Sequence, residues 1–483
     1  MTDRQRLWRE IGMMADGLRL SMAELSDRIW GLAETRFEEF ASAELLASRL
    51  EQEGFRVERG IGGLPTAFVA SFSLHAEDGP VIALLGEYDA LPGLSQQAGV
   101  AVRQTVEQGG NGHGCGHHLL GTGSLAAAIL LKTVMEQHGL AGTLRYYGCP
   151  AEEGGSGKTF LVRAKVFGDV DAALTWHPGY GNAVVSHTSS ANYQVRFRFT
   201  GTSSHAAASP HTGRSALDAV ELMNVGANYL REHVGRNVQF HYAVTDTGGF
   251  SPNVVQASAE VVYLIRAPDI RQVKEVYARI TNVAQGAALM TGTEVEAVFE
   301  KACSNLLPNV TLERAMYEVF AGFGPPSFTA AEEEAAKGFR LTLEQAGASG
   351  SNAIADPGAL PSTLDPYHPD EGQMLGSTDV ADVSWVVPTA QLETVCFAGD
   401  TPFHSWQMVA QGRLTAAHTG MLHAAKVLAA TGAGLLAQPG ILREAKEELR
   451  RRGGLEGYVC PIPESVQPPV KTPPHPGALP PRT

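Results

Sequence analysis

Three short apolar runs, Val81-Ile-Ala-Leu-Leu85, Thr143-Leu-Arg-Tyr-Tyr147 and Ala172-Ala-Leu-Thr-Trp176, are separated by helical patterns at about 119–135 and 159–166. Buried strands that alternate with helices dictate an α/β domain with a largely parallel sheet. Each run stops at residues that carry chemistry. Gly86-Glu87-Tyr88-Asp89 follows the first, Pro150-Ala151-Glu152-Glu153 the second and His177-Pro178 the third. Open α/β sheets collect ligand sites at the carboxyl ends of their strands, so these groups are expected to converge.

Between the first two runs lies Asn111-Gly112-His113-Gly114-Cys115-Gly116-His117-His118. A thiol and three imidazoles among glycines put metal-binding groups on a backbone that can fold tightly enough to aim several of them at one point. A glycine turn capped by chance histidines is the bland alternative. Catalytic metal sites gather ligands from distant loops, and the chain supplies distant partners. They are Glu152, Glu153, His177 and His404, the last following the strand-like Thr394-Val-Cys-Phe397. Thiolate, imidazole and carboxylate suit zinc, or manganese where oxygen ligands and water dominate. Adjacent glutamates past a strand can divide labour, one ligating and the other taking a proton from water. A metal hydrolase is the natural outcome.

Residues 4–55 read as helical up to Gly54, a packing layer. Beyond His187 the texture changes to period-two alternation in Tyr193-Gln-Val-Arg-Phe-Arg-Phe-Thr200. A helix at 214–232, strands at 239–245 and 254–265, a helix at 270–288 and a strand at 294–299 follow. That βαββαβ order is the ferredoxin-like arrangement and predicts an α+β domain inserted into the first. The expected division is 1–187 and 303–445 for the catalytic domain, 188–302 for the insert and 446–483 for a helix end and tail. Helices are expected at 312–323, 330–345 and 408–430. The Gly/Pro/Ser/Asp-rich stretch 347–377 is too long for an ordinary connection, and the proline-rich tail after Pro461 reads as disordered or extended.

With 483 residues and a formal charge of -14, the chain lacks the general basic character that nucleic acid or an anionic membrane would demand. Five scattered cysteines fit a reducing compartment, the cytoplasm by default. The N-terminus has no continuous apolar core and no stretch approaches a membrane span, so neither secretion nor insertion is expected. Two other motifs are weaker. Gly154-Gly-Ser-Gly-Lys158-Thr159 looks like a phosphate loop, but its first glycine would fall at Glu152. A Cys115–His nucleophile pair would leave Glu153, His177 and His404 without a task.

At these residues the chain resembles the dinuclear metallo-exopeptidase and aminoacylase family, in its amidohydrolase branch that includes p-aminobenzoyl-glutamate and auxin-conjugate hydrolases. The resemblance spans residues 20–430. It rests on Gly86-Glu-Tyr-Asp-Ala-Leu-Pro-Gly93, His113-Gly-Cys-Gly-His117, Pro150-Ala-Glu-Glu153, Trp176-His-Pro178, Ser203-Ser-His-Ala-Ala207 with Gly213-Arg-Ser-Ala-Leu-Asp-Ala219, and His404-Ser405. It implies a zinc-exopeptidase-like sheet flanked by helices, with the insert as a lid and dimerisation domain. It also implies two divalent metal ions, zinc or manganese, bridged by Cys115 and completed by His117, Glu153, His177 and His404, with Glu152 as general base. His205 and Asn253 match lid residues that stabilise the oxyanion of a neighbouring site, and Arg266 matches one that binds the substrate carboxylate. Most of the branch has Asp where this chain has His118. Asp89 reads either as a ligand-orienting carboxylate or as a strand-end turn residue.

The activity so implied is hydrolysis of the amide of an N-acyl or N-aroyl amino acid, p-aminobenzoyl-glutamate-like, by a metal-activated water. A dipeptidase or carboxypeptidase on the same scaffold and a non-catalytic partner subunit are the alternatives. The implied partners are a second copy of the chain, joined through the lid, and a related subunit.

Overall fold

The structure is a computed structural model and describes residues 3–75, 79–345, 358–369 and 372–471. The expectations for 347–357, for 370–371 and for the tail beyond 471 lie outside those residues.

Two N-terminal helices, α1 (Asp3–Leu32) and α2 (Phe40–Gln52), lead into β1 (Arg56–Arg59), β2 (Phe68–Leu74) and β3 (Val81–Glu87). Then come α3 (His117–His138), β4 (Gly142–Cys149), α4 (Glu152–Gly155), α5 (Gly157–Arg163), β5 (Ala172–Gly179) and the short β6 (Ala183–Val184). These strands and a later one, Thr389–Val395, form a seven-stranded sheet, whose four central members β4, β3, β5 and Thr389–Val395 are parallel. The edges are antiparallel. Ile82, Ala83, Leu84 and Leu85 are fully buried because both sheet faces are covered. The antiparallel edge pair β1 and β2 was not foreseen. Its outer strand, Arg-Val-Glu-Arg, is mostly exposed and carries no apolar alternation to announce it.

The second sheet holds β8 (Ala191–Thr200), β9 (Gln239–Asp246), β10 (Ser258–Ala267) and β11 (Glu294–Cys303) in the order β11-β8-β10-β9, after the two-residue strand β7 (Thr188–Ser189). With α6 (Ala216–Leu230) and α7 (Ile270–Thr291) it makes the ferredoxin-like βαββαβ unit that alternation suggested. Ser215 and Asp269 cap the two helices, each accepting an N–H from three residues on. Residue 254, where a strand was expected to begin, instead lies in a turn, and Val254 makes an isolated bridge to His205.

The chain then returns through α8 (Val310–Phe323), α9 (Ala330–Gln345), β12 (Gln373–Met374), α10 (Val380–Val386) and β13 (Thr389–Val395). It ends in α11 (Trp406–Gln411), α12 (Thr415–Ala437) and α13 (Pro439–Arg451). The single helix expected at 408–430 is therefore broken between Gln411 and Thr415, where Leu414 is extended at ψ 153°. Just before it, the Gly412 carbonyl accepts a hydrogen bond from His118 Nε2 at 2.9 Å, and a Cβ at Gly412 would meet the His118 ring at 2.8 Å.

Contrary to expectation, α3 and α12 are long and apolar enough to cross a membrane by length and composition. Both sit inside the protein, with 89% and 83% of their most apolar windows buried, where they pack on each other, on α1 and on the central strands. All-round hydrophobicity here marks a core helix. Residues 461–471 have no regular structure but are attached. Ile462 is buried, and Arg163 donates to the carbonyls of Pro463 and Val466.

Candidate metal centre

Four strand ends and one helix start build the centre. Glu87 closes β3, with Asp89 two residues on. Ala151, held at φ 61°, turns the chain after β4 so that Glu152 and Glu153 open α4. Glu39 fixes that turn, its Oε1 accepting the Ala151 N–H at 2.9 Å. His177 lies on β5, and His404 follows β13 with its N–H on the Gly114 carbonyl at 2.8 Å. Cys115 precedes Gly116, whose φ of 81° and 2.7 Å clearance to Pro178 admit no side chain and let His117 begin α3.

The predicted ligands come together in two groups that share one atom. Donor atoms of Cys115, His117 and His177 lie within 4.8 Å of one another, as do those of Cys115, Glu153 and His404. Cys115 Sγ is 3.5 Å from His177 Nε2, and His404 Nε2 is 3.2 Å from Glu153 Oε1. The donors are aimed from behind. Asp89 Oδ1 is 2.8 Å from His117 Nδ1 while its Oδ2 accepts the Glu153 N–H at 2.9 Å, and His177 Nδ1 donates to the Pro178 carbonyl at 3.0 Å. This leaves His117 Nε2 and Glu153 Oε1 buried without hydrogen-bond partners. Buried polar atoms are rarely orphaned, and two that face a thiol and further imidazoles fit a divalent cation. The donor set therefore suits the metals the resemblance implies.

The electrostatics agree. Burial, reinforced by the charges of Glu87, Asp379 and Glu153, raises the Glu152 carboxyl well above its ordinary range. Burial also pushes Glu153 upward, but the close approach of His404 and the charge of His117 prevail and hold it at about 2. His177 falls to about 4 through burial and the nearby His117, which keeps its ring neutral and able to ligate. The Cys115 thiol rises through burial and the adjacent Glu153, as expected of a sulfur that deprotonates only against a cation.

Glu152 lies with Glu87 and His117 in a third close group. His205 and Asn253 are not brought to the cluster of their own chain. Both side chains are exposed, and among the described residues no hydrogen bond joins either to it. His205 Nδ1 accepts from the Ala207 and Ala208 N–H groups at 3.2 Å, which leaves its Nε2–H free to donate outward. Arg266 stands on β10 opposite Asn192, with Nε buried and unpartnered. On the same sheet, the buried Lys301 of β11 donates to the Glu153 carbonyl at 3.3 Å and so ties the insert to the Glu152–Glu153 turn.

Sequence reasoning settled neither His118 nor Lys158. His118 points away from the cluster to Gly412, beside His113 at a ring separation of 4.8 Å. Lys158, in the stretch that looked like a phosphate loop, is fully buried between Glu87 and Asp379 at 2.6 Å from each. A lysine among buried carboxylates has no local sequence signature. Its only trace was a phosphate-loop motif that failed at Glu152.

Comparison with known proteins places similarity where the site lies. The profile of the peptidase family M20/M25/M40 matches residues 83–363. The chain is 50% identical over 479 residues to one of the p-aminobenzoyl-glutamate hydrolase subunits of Escherichia coli K12, covering 96% of this chain and 99% of that protein. Among solved structures, an aminobenzoyl-glutamate utilization protein from Klebsiella pneumoniae superposes with a TM-score of 0.60 at 19% identity, over 88% of this chain and 98% of the other. A dinuclear metal binding peptidase from Bacillus subtilis superposes with 0.56 at 18% identity, over 87% and 99%.

Proposed function

The chain belongs to the peptidase family M20/M25/M40, and on that premise we propose that it is a metal-dependent amidohydrolase that cleaves N-acyl or N-aroyl amino acids of the p-aminobenzoyl-glutamate type. The observation that carries the reading is Cys115, common to the His117–His177 group and the Glu153–His404 group. One thiolate between two donor pairs is the arrangement a dinuclear centre needs. Two divalent ions, zinc or manganese, would be held there and would supply Lewis acidity toward the amide carbonyl and a water acidic enough to react near neutrality.

The chain's residues do the rest. Glu152, half-buried beside the cluster and raised in pKa, takes a proton from the attacking water and returns it to the leaving nitrogen as the amide C–N bond breaks. Its elevated pKa suits both halves of that transfer. Nε2–H of His205 and the amide of Asn253 are assigned to the carbonyl oxygen as its charge develops, in the site of a second copy. Their exposure in a single chain supports that assignment. Arg266 receives the substrate's free carboxylate, for which its planar fork and unpartnered Nε are suited. Phe403 and Tyr180, with ring centroids 6.1 Å apart and Phe403 against His177, offer an apolar wall for an aromatic acyl group.

A homodimer through the insert and a related second subunit are the proposed partners, the latter because the Escherichia coli relative is named as one subunit of its hydrolase. The free cysteines support a reducing, cytoplasmic setting. The test of the mechanism is Glu152→Ala. It is expected to retain metal and lose turnover, and normal turnover would refute the base assignment.

A further inference from the structure

Glu87 has no role in the ligand set above, yet its surroundings are those of a ligand. His117 Nδ1 is taken by Asp89, so the ring meets the cavity through Nε2. That nitrogen lies 3.2 Å from Glu87 Oε2 and has no hydrogen-bond partner. With the ring neutral and its proton on Nδ1 toward Asp89, as a metal ligand must be, the Nε2 lone pair and Glu87 Oε2 repel one another unless they share a cation. The spacing also matches the roughly 3 Å that separates neighbouring donors when each is about 2.1 Å from one ion.

The other Glu87 oxygen is fixed from behind. Lys158 Nζ holds Oε1 at 2.6 Å and Asp379 Oδ1 at 2.6 Å, and the Lys158 N–H donates to Asp379 Oδ2 at 2.8 Å. Ligating carboxylates are commonly oriented by such hydrogen bonds. The charge count points the same way. Asp379 alone neutralises Lys158, so Glu87 brings an unbalanced anion to a site where it, Lys158 and His117 are all buried. Donor atoms of Glu87, His117 and Glu152 lie within 4.8 Å of one another, so a cation at His117 Nε2 meets that surplus.

We propose that Glu87 Oε2 is a further ligand of the ion held by Cys115, His117 and His177, presented to it by Lys158. This rests on the dinuclear reading of the site and adds to it a donor that the resemblance does not supply.

The test is titration of the metal-stripped, full-length protein with Co(II), followed by calorimetry and by the cobalt–thiolate absorption that reports Cys115. Wild type is expected to take up two ions. Glu87→Gln keeps the shape and an oxygen for Lys158, and is expected to bind one of the two at least tenfold more weakly while the other is retained. Asp379→Asn removes the other carboxylate from Lys158 but leaves Glu87, and is expected to hold both affinities within about threefold, well short of a tenfold ligand effect. Unchanged affinities in Glu87→Gln would overturn the proposal. So would equal weakening in both variants, which would show a buried-charge effect in place of ligation. Should circular dichroism show Glu87→Gln unfolded, Glu87→Asp, one methylene shorter, is held to the same criterion. Fewer than two ions in wild type would instead overturn the dinuclear reading itself.

Discussion

Asp89 Oδ1 lies 2.8 Å from His117 Nδ1, and its second oxygen accepts the Glu153 N–H at 2.9 Å. One carboxylate thus fixes the ring of one donor and the backbone of another, each belonging to a different group around Cys115. Asp89→Ala is therefore expected to weaken metal binding about 10–100-fold and to lower kcat/KM by a similar factor. Calorimetric metal titration of the stripped variant checks it. Wild-type affinity would make Asp89 a turn residue only.

Lys158 is fully buried between two carboxylates. Lys158→Met leaves Glu87 and Asp379 as uncompensated buried charges, a change that costs about 3–5 kcal/mol. Thermal unfolding of the metal-free variant should show the loss. A Tm unchanged from wild type would mean the carboxylates take up protons at little cost.

His423 packs against Phe320 and Phe323 with Nε2 unpartnered, and burial, aided by Lys426, lowers it from 6.5 to about 3. A base depressed by folding contributes stability that is complete above its unfolded pKa and is lost as pH falls. The window here runs from about 6.5 down to about 3. Between pH 7 and pH 5 wild type should lose about 2 kcal/mol on this account, from 1.5 pH units at about 1.4 kcal/mol each. In His423→Phe that part of the slope is expected to vanish in urea unfolding measured at both pH values. An identical slope would assign the acid sensitivity to other groups.

His205 stands exposed on the insert, with its Nδ1 engaged by the Ala207 and Ala208 N–H groups. If it serves the site of a second copy, mixing inactive His205→Ala and Glu152→Ala chains should restore up to about a quarter of the wild-type rate, through mixed dimers that hold one intact site. Absence of restoration would confine His205 to its own chain or remove it from the reaction.

The sequence made some of this legible and hid the rest for physical reasons. The central strands were readable because burial on both faces leaves an unbroken apolar run, as in Val81-Ile-Ala-Leu-Leu85, and the sheet topology then predicts where Glu152, Glu153 and His177 meet. The βαββαβ insert was readable from its alternation. The β1–β2 edge escaped because Arg-Val-Glu-Arg is held by backbone pairing and not by side-chain burial. The helix break at Leu414 follows the contact of Gly412 with His118, a residue 294 positions away along the chain, and no local pattern encodes such a contact. Lys158 escaped for the same reason, since both of its carboxylate partners are remote in sequence. His205 and Asn253 were legible only through the resemblance, and their exposed side chains make no contact within one chain that ties them to the Cys115 cluster.

The most direct measurement is amine release from a panel of N-acyl and N-aroyl amino acids, p-aminobenzoyl-glutamate among them, by protein reconstituted with manganese or zinc, beside an EDTA-treated control. Metal-dependent release, abolished by EDTA and restored by the added ion, is the result predicted if the residues around Cys115 hold a hydrolytic metal centre. Release that persists without metal, or binding of two ions with no amide on the panel cleaved, would contradict it.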